Sequence, residues 1–327
     1  MKNYTCRKFI WLFLLVFCSS CAHSAIVRGY KGPEKLPAEI AQKYSYENTP
    51  VEYISTVVKE EKNYIIRRIE ISAIKSPDAG YDNSISQDKI VMDYYDIRGA
   101  SKTPVIIVLP ILGGNNDVAK FFSAYFSRKG CAALIVHRDQ KQKEKVDADT
   151  LEPSLKQMVI DHKRAIDWIK TQKDLDFDNI GVFGVSMGGI KSALLTALDQ
   201  RIKASVIALA GGDLPYILLH SDEKGIVKKI AEIKNKTGLN DDTLYKILKQ
   251  KIETDPINFA KYIDARKVLM VLAVWDTTVP YKKGRELADA IGGPEEIDLL
   301  AGHFTSIVYI YYIRAASLDF FNKKFGR

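Results

Sequence analysis

From Thr103 onward the chain repeats one pattern: short, nearly continuous apolar runs separated by stretches whose apolar residues recur at helical spacing. The runs are PVIIVLP (104–110), CAALIVH (131–137), NIGVFGVS (179–186), ASVIALAG (204–211), KVLMVLAVW (267–275) and EEIDLLA (295–301). A strand that is apolar on both faces has to be covered on both, which a parallel sheet achieves through helical crossovers. DVAKFFSAYFSRK, PSLKQMVIDHKRAIDWIKTQ and MGGIKSALLTALD supply those helices between the first four runs.

Ahead of this region, YIIRRIEISAI (64–74) and KIVMDYYDI (89–97) flank the turn-rich SPDAGYDNSISQD, which predicts an antiparallel pair extending one edge of the same sheet. One interval, 212–262, is too long for a simple crossover and carries helix signals of its own. Asn240 precedes DDTLYKILKQKI as an N-cap, and Asp255-Pro256 starts another helix. The expected fold class is therefore α/β: a mostly parallel sheet with helices on both faces, antiparallel N-terminal edge strands and a helical cap insertion. A chain of 327 residues, 46% of them hydrophobic, has enough apolar side chain for one such domain over residues 21–327.

Residues 1–20 stand apart. Lys2, Arg7 and Lys8 precede the apolar run FIWLFLLVF (9–17), and the small-residue stretch CSSCAHSA follows, as in a secretory signal. The run is short for a membrane span. Two processing patterns compete: SSC ending at Cys21 resembles a bacterial lipoprotein signal and makes Cys21 a lipidation candidate, while Ala22-His23-Ser24 resembles an ordinary small-x-small cleavage site. Either predicts export, to the cell envelope as a tethered lipoprotein or as a secreted protein. Residues 22–50, with Gly29, Gly32, Pro33, Pro37 and Pro50, read as a tether or irregular lead-in.

Loss of residues 1–20 would leave Cys21 and Cys131, so no disulfide framework is expected. Cys131 opens an apolar run and reads as a small buried hydrophobe. The formal charge of +8 includes the three leader cations, and the lysines of KQKEK and VKKIAEIKNK alternate with acids or follow helical spacing. Solvated faces account for them, and no nucleic-acid partner is expected.

The chemistry gathers at GVFGVSMGGI (181–190), where Gly184-Val185-Ser186-Met187-Gly188 matches G-x-S-x-G with a predicted strand before it and a predicted helix after it. A sharp strand-to-helix turn lifts the serine hydroxyl above the sheet, and glycines 184 and 188 remove side chains that would collide with neighbouring elements. The helix start also aims backbone N–H groups and a positive dipole end at an oxyanion formed on Ser186.

With this motif and strand order, residues 60–327 resemble the α/β-hydrolase superfamily, particularly its dienelactone-hydrolase-like and esterase-like members. The resemblance implies a nucleophile, an acid and a histidine in that chain order, the acid after a late strand and the histidine after the last. KVLMVLAVW runs into Asp276, and the final strand runs into Gly302-His303. Of the five histidines, His23, His137, His162, His220 and His303, only the last follows Asp276. Ser186, His303 and Asp276 are thus the expected nucleophile, general base and orienting acid. Asp276 before Thr-Thr also suits a loop that bonds its own backbone, and Asp213, after an earlier strand, is the reserve acid.

The same resemblance places an oxyanion hole at the N–H groups of Leu112, in LPILGGNND (109–117), and Met187, although Pro110 and Ile111 stand where many relatives have His-Gly. Glycines in that loop also serve ordinary strand-helix packing. No phosphate-binding loop, dinucleotide fingerprint or metal-binding spacing occurs, so neither cofactor nor metal is expected. The implied activity is hydrolysis of carboxylic esters through an acyl-enzyme. Two rivals stay open: a peptidase or acyl-peptide hydrolase on the same fold, and a binding lipoprotein that uses the scaffold without catalysis.

Overall fold

The computed structural model describes residues 21–75, 88–112, 116–137 and 150–327. Among them ten strands form one sheet: β1 (Cys21–Ser24), β2 (Tyr53–Glu60), β3 (Tyr64–Ser72), β4 (Lys89–Ile97), β5 (Thr103–Leu109), β6 (Ala132–Val136), β7 (Leu175–Val185), β8 (Ile202–Ala208), β9 (Val268–Ala273) and β10 (Glu295–Leu299). Their order across the sheet is β1-β10-β9-β8-β7-β5-β6-β4-β3-β2. Strands β5 to β10 are mutually parallel. The expected antiparallel extension is present, with β4, β3 and β2 added beyond β6. At the other edge β1 runs antiparallel to β10. Strands β5, β6 and β9 are buried at every position, as their unbroken apolar runs demand.

Among the described residues ten helices accompany the strands: α1 (Ala38–Lys43), α2 (Asp117–Arg128), α3 (Leu151–Thr171), α4 (Met187–Leu198), α5 (Leu214–His220), α6 (Lys224–Thr237), α7 (Asp241–Lys251), α8 (Pro256–Phe259), α9 (Tyr281–Ile291) and α10 (Ile310–Phe325). On one face, Phe122 and Phe126 of α2 and Phe321 of α10 pack with Phe183 of β7. On the other, α3, α4 and α9 share a core with the 212–262 insertion. The insertion is helical, comprising α5 to α8: α8 packs on α4 and α7 packs on α5, and Ile217, Leu244, Leu248 and Phe259 share one buried core with Ile190 and Leu194 of α4. Asn240 caps α7 by accepting from the Thr243 N–H at 2.9 Å, and Asp255 caps α8 by accepting from Ile257 N–H. Cys131 is fully buried, and burial pushes its thiol up to about 11.

The lead-in is not a tether. Beyond β1, Tyr30 Oη donates to the Ile263 carbonyl at 3.2 Å and accepts from Ala265 N–H at 3.1 Å. Tyr44 is buried, bonded to Thr254 Oγ1 at 2.7 Å and set edge-on to Phe259. Aromatic side chains spaced along an otherwise irregular segment hold it to the body, and burial of their rings supplies the driving force. The leader (1–20), residues 76–87 of the turn-rich stretch, and Gly113-Gly114 fall outside the described residues.

Candidate active site

Strand β5 has β6 on one side and β7 on the other, so the chain reverses its direction of winding between β5 and β7. Crevices that hold ligands open at such a reversal, beyond the carboxyl ends of the strands. Ser186 stands there, between β7 and α4, with φ 56° and ψ −123°. A positive φ is costly for a residue with a Cβ and persists only where the surroundings enforce it.

Backbone contacts around the turn do so. A Cβ on Gly184 would lie 2.0 Å from the Gly188 carbonyl oxygen, one on Gly188 2.2 Å from that of Leu109, and one on Gly189 2.7 Å from that of Ala208. Strands β5, β7 and β8 and helix α4 therefore approach more closely than any other residue type permits. The Ser186 N–H donates to Ala208 O at 2.8 Å, which ties the turn to β8.

Three side chains from three strand ends meet over this turn. His303 Nε2 is 2.9 Å from Ser186 Oγ, and His303 Nδ1 is 2.7 Å from Asp276 Oδ2. Asp276 follows β9, and its side chain is only 2% exposed. Its other oxygen accepts from the Thr278 and Val279 N–H groups at 3.0 and 2.9 Å. The two readings of Asp276 are thus compatible in one side chain: Oδ1 organises the loop while Oδ2 holds the imidazole. With Nδ1 donating to Asp276, Nε2 is left as the acceptor for the Ser186 hydroxyl.

The reserve acid lies elsewhere. Asp213 accepts from Lys283 Nζ at 2.9 Å and from Tyr245 Oη at 3.2 Å, and its backbone N–H is held by Asp255 at 2.9 Å. Its position after β8 leads into α5 of the insertion, where it balances a buried lysine, and His303 takes Asp276 as its carboxylate partner. The other histidines are dispersed. His23 pairs with Glu295 at 3.0 Å, His137 sits 2.8 Å from Asp93, and His220 stacks on Tyr216. His162 is buried in α3, and burial, reinforced by the nearby Lys191 charge, drives its imidazole down to about 3.

Met187, at the first position of α4, carries one of the helix-start N–H groups that have no intrahelical acceptor. Leu112 lies just beyond β5 with its side chain 40% exposed. Asp222 is a contributor that the sequence pattern does not reveal. It accepts from the Thr277 and Thr278 hydroxyls at 2.5 and 2.6 Å, and these two bonds hold its carboxyl below the usual range. It thereby braces the loop that presents Asp276 from a position in the insertion more than fifty residues away in sequence.

The dienelactone hydrolase family model matches residues 94–253. Among solved structures, an acetyl xylan esterase from Paenibacillus sp. R4 aligns at TM-score 0.61 and 18% identity, covering 86% of this chain and 99% of that one. Acetyl xylan esterase 1 from Thermoanaerobacterium sp. JW/SL YS485 aligns at TM-score 0.61 and 13% identity, covering 88% and 99%. A protein of Bacillus subtilis (strain 168) described as "Putative hydrolase YtaP" is 41% identical over 49 residues, which is 15% of this chain and 16% of that protein's length.

Proposed function

We propose that this chain, an α/β hydrolase whose core is dienelactone-hydrolase-like, is a serine hydrolase of carboxylic esters in which Ser186, His303 and Asp276 act together. The observation that carries this reading is the unbroken hydrogen-bonded line from Ser186 Oγ through both ring nitrogens of His303 to Asp276, built on a turn of positive φ.

The Ser186 hydroxyl donates to His303 Nε2. As Oγ attacks the ester carbonyl carbon, its proton passes to Nε2 and the carbonyl oxygen takes the negative charge. The Met187 N–H and the Leu112 N–H beyond β5 receive that charge, assisted by the dipole of α4. Asp276 keeps the imidazole in the tautomer with Nδ1 protonated and stabilises the imidazolium. His303 returns the proton to the departing alkoxide, leaving an acyl group on Ser186, and a water activated by the same nitrogen releases the acid. Asp222 positions Asp276 without touching substrate.

In the same proposal residues 1–20 export the chain, and Cys21 is the residue that lipidation would modify. The chemistry is tested with a fluorophosphonate probe: the wild type is labelled at Ser186 and Ser186→Ala is not. Labelling at another residue, or undiminished labelling of the variant, overturns the assignment. Comparing p-nitrophenyl esters with aminoacyl amides then ranks ester against amide cleavage.

A further inference from the structure

The rim of the site is apolar well beyond what a pocket for a small ester needs. Residues 299–313, from the end of β10 into α10, contain no Asp, Glu, Lys or Arg. Within this stretch Phe304, Ile307, Val308 and Tyr311 are each more than half exposed, at 70%, 59%, 58% and 63%. Trp275, 62% exposed, precedes Asp276, and its backbone N–H donates to Ala301 O at 2.9 Å, which sets it beside the start of this stretch. The exposed apolar side chains thus sit on the two segments that carry Asp276 and His303. At its far margin Arg314 lies over the rings of Tyr311 and Tyr125, both at 4.4 Å, and of Phe121 at 5.3 Å. Connected apolar surface of this kind marks a contact with another body rather than with water.

The path of the chain identifies that body. Strand β1 is antiparallel to β10 with Cys21 opposite Leu299 and Ser24 opposite Glu296. β10 ends at the edge of the sheet that carries His303, so β1 begins at that edge. Cys21 therefore lies at the end of the sheet from which the segments bearing Trp275, Phe304 and Ile307 leave β9 and β10. The preceding sequence is the basic and apolar MKNYTCRKFIWLFLLVFCSS, and Cys21 is the candidate for acylation. Tryptophan and tyrosine with a flanking arginine are the side chains that settle at the headgroup level of a bilayer.

We propose that this rim docks onto a phospholipid bilayer, so that the tethered chain holds the mouth of its site against the membrane and draws esters from the interface. The proposal rests on the reading of residues 1–20 and Cys21 as an export and tethering segment, and is independent of the chemistry at Ser186. A tether alone would leave orientation free. The exposed apolar side chains fix it, because each one that enters the interface is removed from water.

The test uses the processed chain, acylated at Cys21, with vesicles of phosphatidylethanolamine and phosphatidylglycerol carrying brominated acyl chains. Tryptophan emission is compared between wild type and Trp275→Phe, and the difference isolates Trp275 from Trp168. The Trp275 contribution is expected to fall at least about twofold on vesicle binding, as for a side chain at interface depth. Ile307→Ser/Val308→Ser should restore that emission while the turnover of a short soluble ester is unchanged. Trp275 emission that is unquenched in vesicle-bound protein overturns the proposal. So does failure to sediment with vesicles, or a dimer in vesicle-free buffer that the double substitution dissociates, which would make the rim an interface between copies. Quenching of Trp275 in a protein that the fluorophosphonate probe does not label leaves the docking in place and removes the serine-hydrolase reading.

Discussion

At the scale of single residues, the proposed mechanism assigns the two aspartates after β8 and β9 different tasks, Asp276 to catalysis and Asp213 to stability. Asp276 is buried, donates nothing, and spends both oxygens on the Thr278 and Val279 N–H groups and on His303. Asp276→Asn keeps the size but offers an amide to the imidazole, which favours the wrong tautomer. Turnover of a short ester should fall by about 10⁴-fold with little change in thermal midpoint. Asp213→Asn should do the reverse. Its positive φ of 63° is tolerated by asparagine, turnover should persist, and the midpoint should drop because Lys283 loses a charged partner. Paired measurement of turnover and melting checks both, and an inactive Asp213→Asn that melts normally would reverse the roles. Ser186 and His303 are legible in sequence because motif context and the scarcity of histidine narrow each to one position. The choice between Asp276 and Asp213 needed space, since both follow strands. Asp222 left no mark at all, because its partners Thr277 and Thr278 are remote in sequence and nothing in its own neighbourhood is unusual.

At the scale of elements, strands were legible where burial writes the pattern and illegible where backbone pairing alone makes the strand. Strands β5, β6 and β9 appear as apolar runs because both faces are covered. Strand β2 is exposed at all of its positions and β1 is the four residues CAHS, so neither carries an apolar period. Their membership follows from ladders to β3 and β10. Helix signals made of local hydrogen bonds fared better, as at Asn240, whose side chain accepts from Thr243 N–H. Asn240→Ala removes that bond from an exposed helix start and should cost about 1 kcal/mol. In a chain of this size the thermal midpoint should fall by about 2 °C, with ester turnover unchanged because α7 packs on α5 within the insertion, where Leu244 and Leu248 are buried. A loss of turnover without a thermal shift would instead make α7 part of the substrate pocket. By contrast Asp255-Pro256 announced a helix correctly but not its brevity, since α8 spans four residues before the chain tightens into a 3₁₀ turn.

At the scale of the whole molecule, contacts across more than a hundred residues of sequence decide what the irregular segments do. Tyr30, Tyr44 and the Thr49-Pro50 carbonyls meet Ile263, Thr254 and Arg164, and no local pattern in a Pro- and Gly-rich stretch reports partners so far away. Stability against pH is set at this scale too. His162 is buried where α3 packs on α4, its Nδ1–H donates to the Met158 carbonyl at 2.5 Å, and the charged group nearest in effect is Lys191. The folded imidazole is held at about 3, whereas an unfolded one titrates near its ordinary value of about 6.5. Between these values the unfolded chain binds a proton that the folded chain refuses, so stability rises with pH there. The contribution is complete above about 6.5 and is lost as acid is added toward 3. His162→Leu removes the titration along with the bond to Met158, and that lost bond shifts stability equally at every pH. Unfolding free energies measured in urea from pH 7 to pH 4 should therefore fall more steeply in the wild type than in the variant, by about 1 kcal/mol per pH unit below 6. Parallel curves would show that the folded imidazole takes up its proton as readily as the unfolded one, against the lowering that burial predicts.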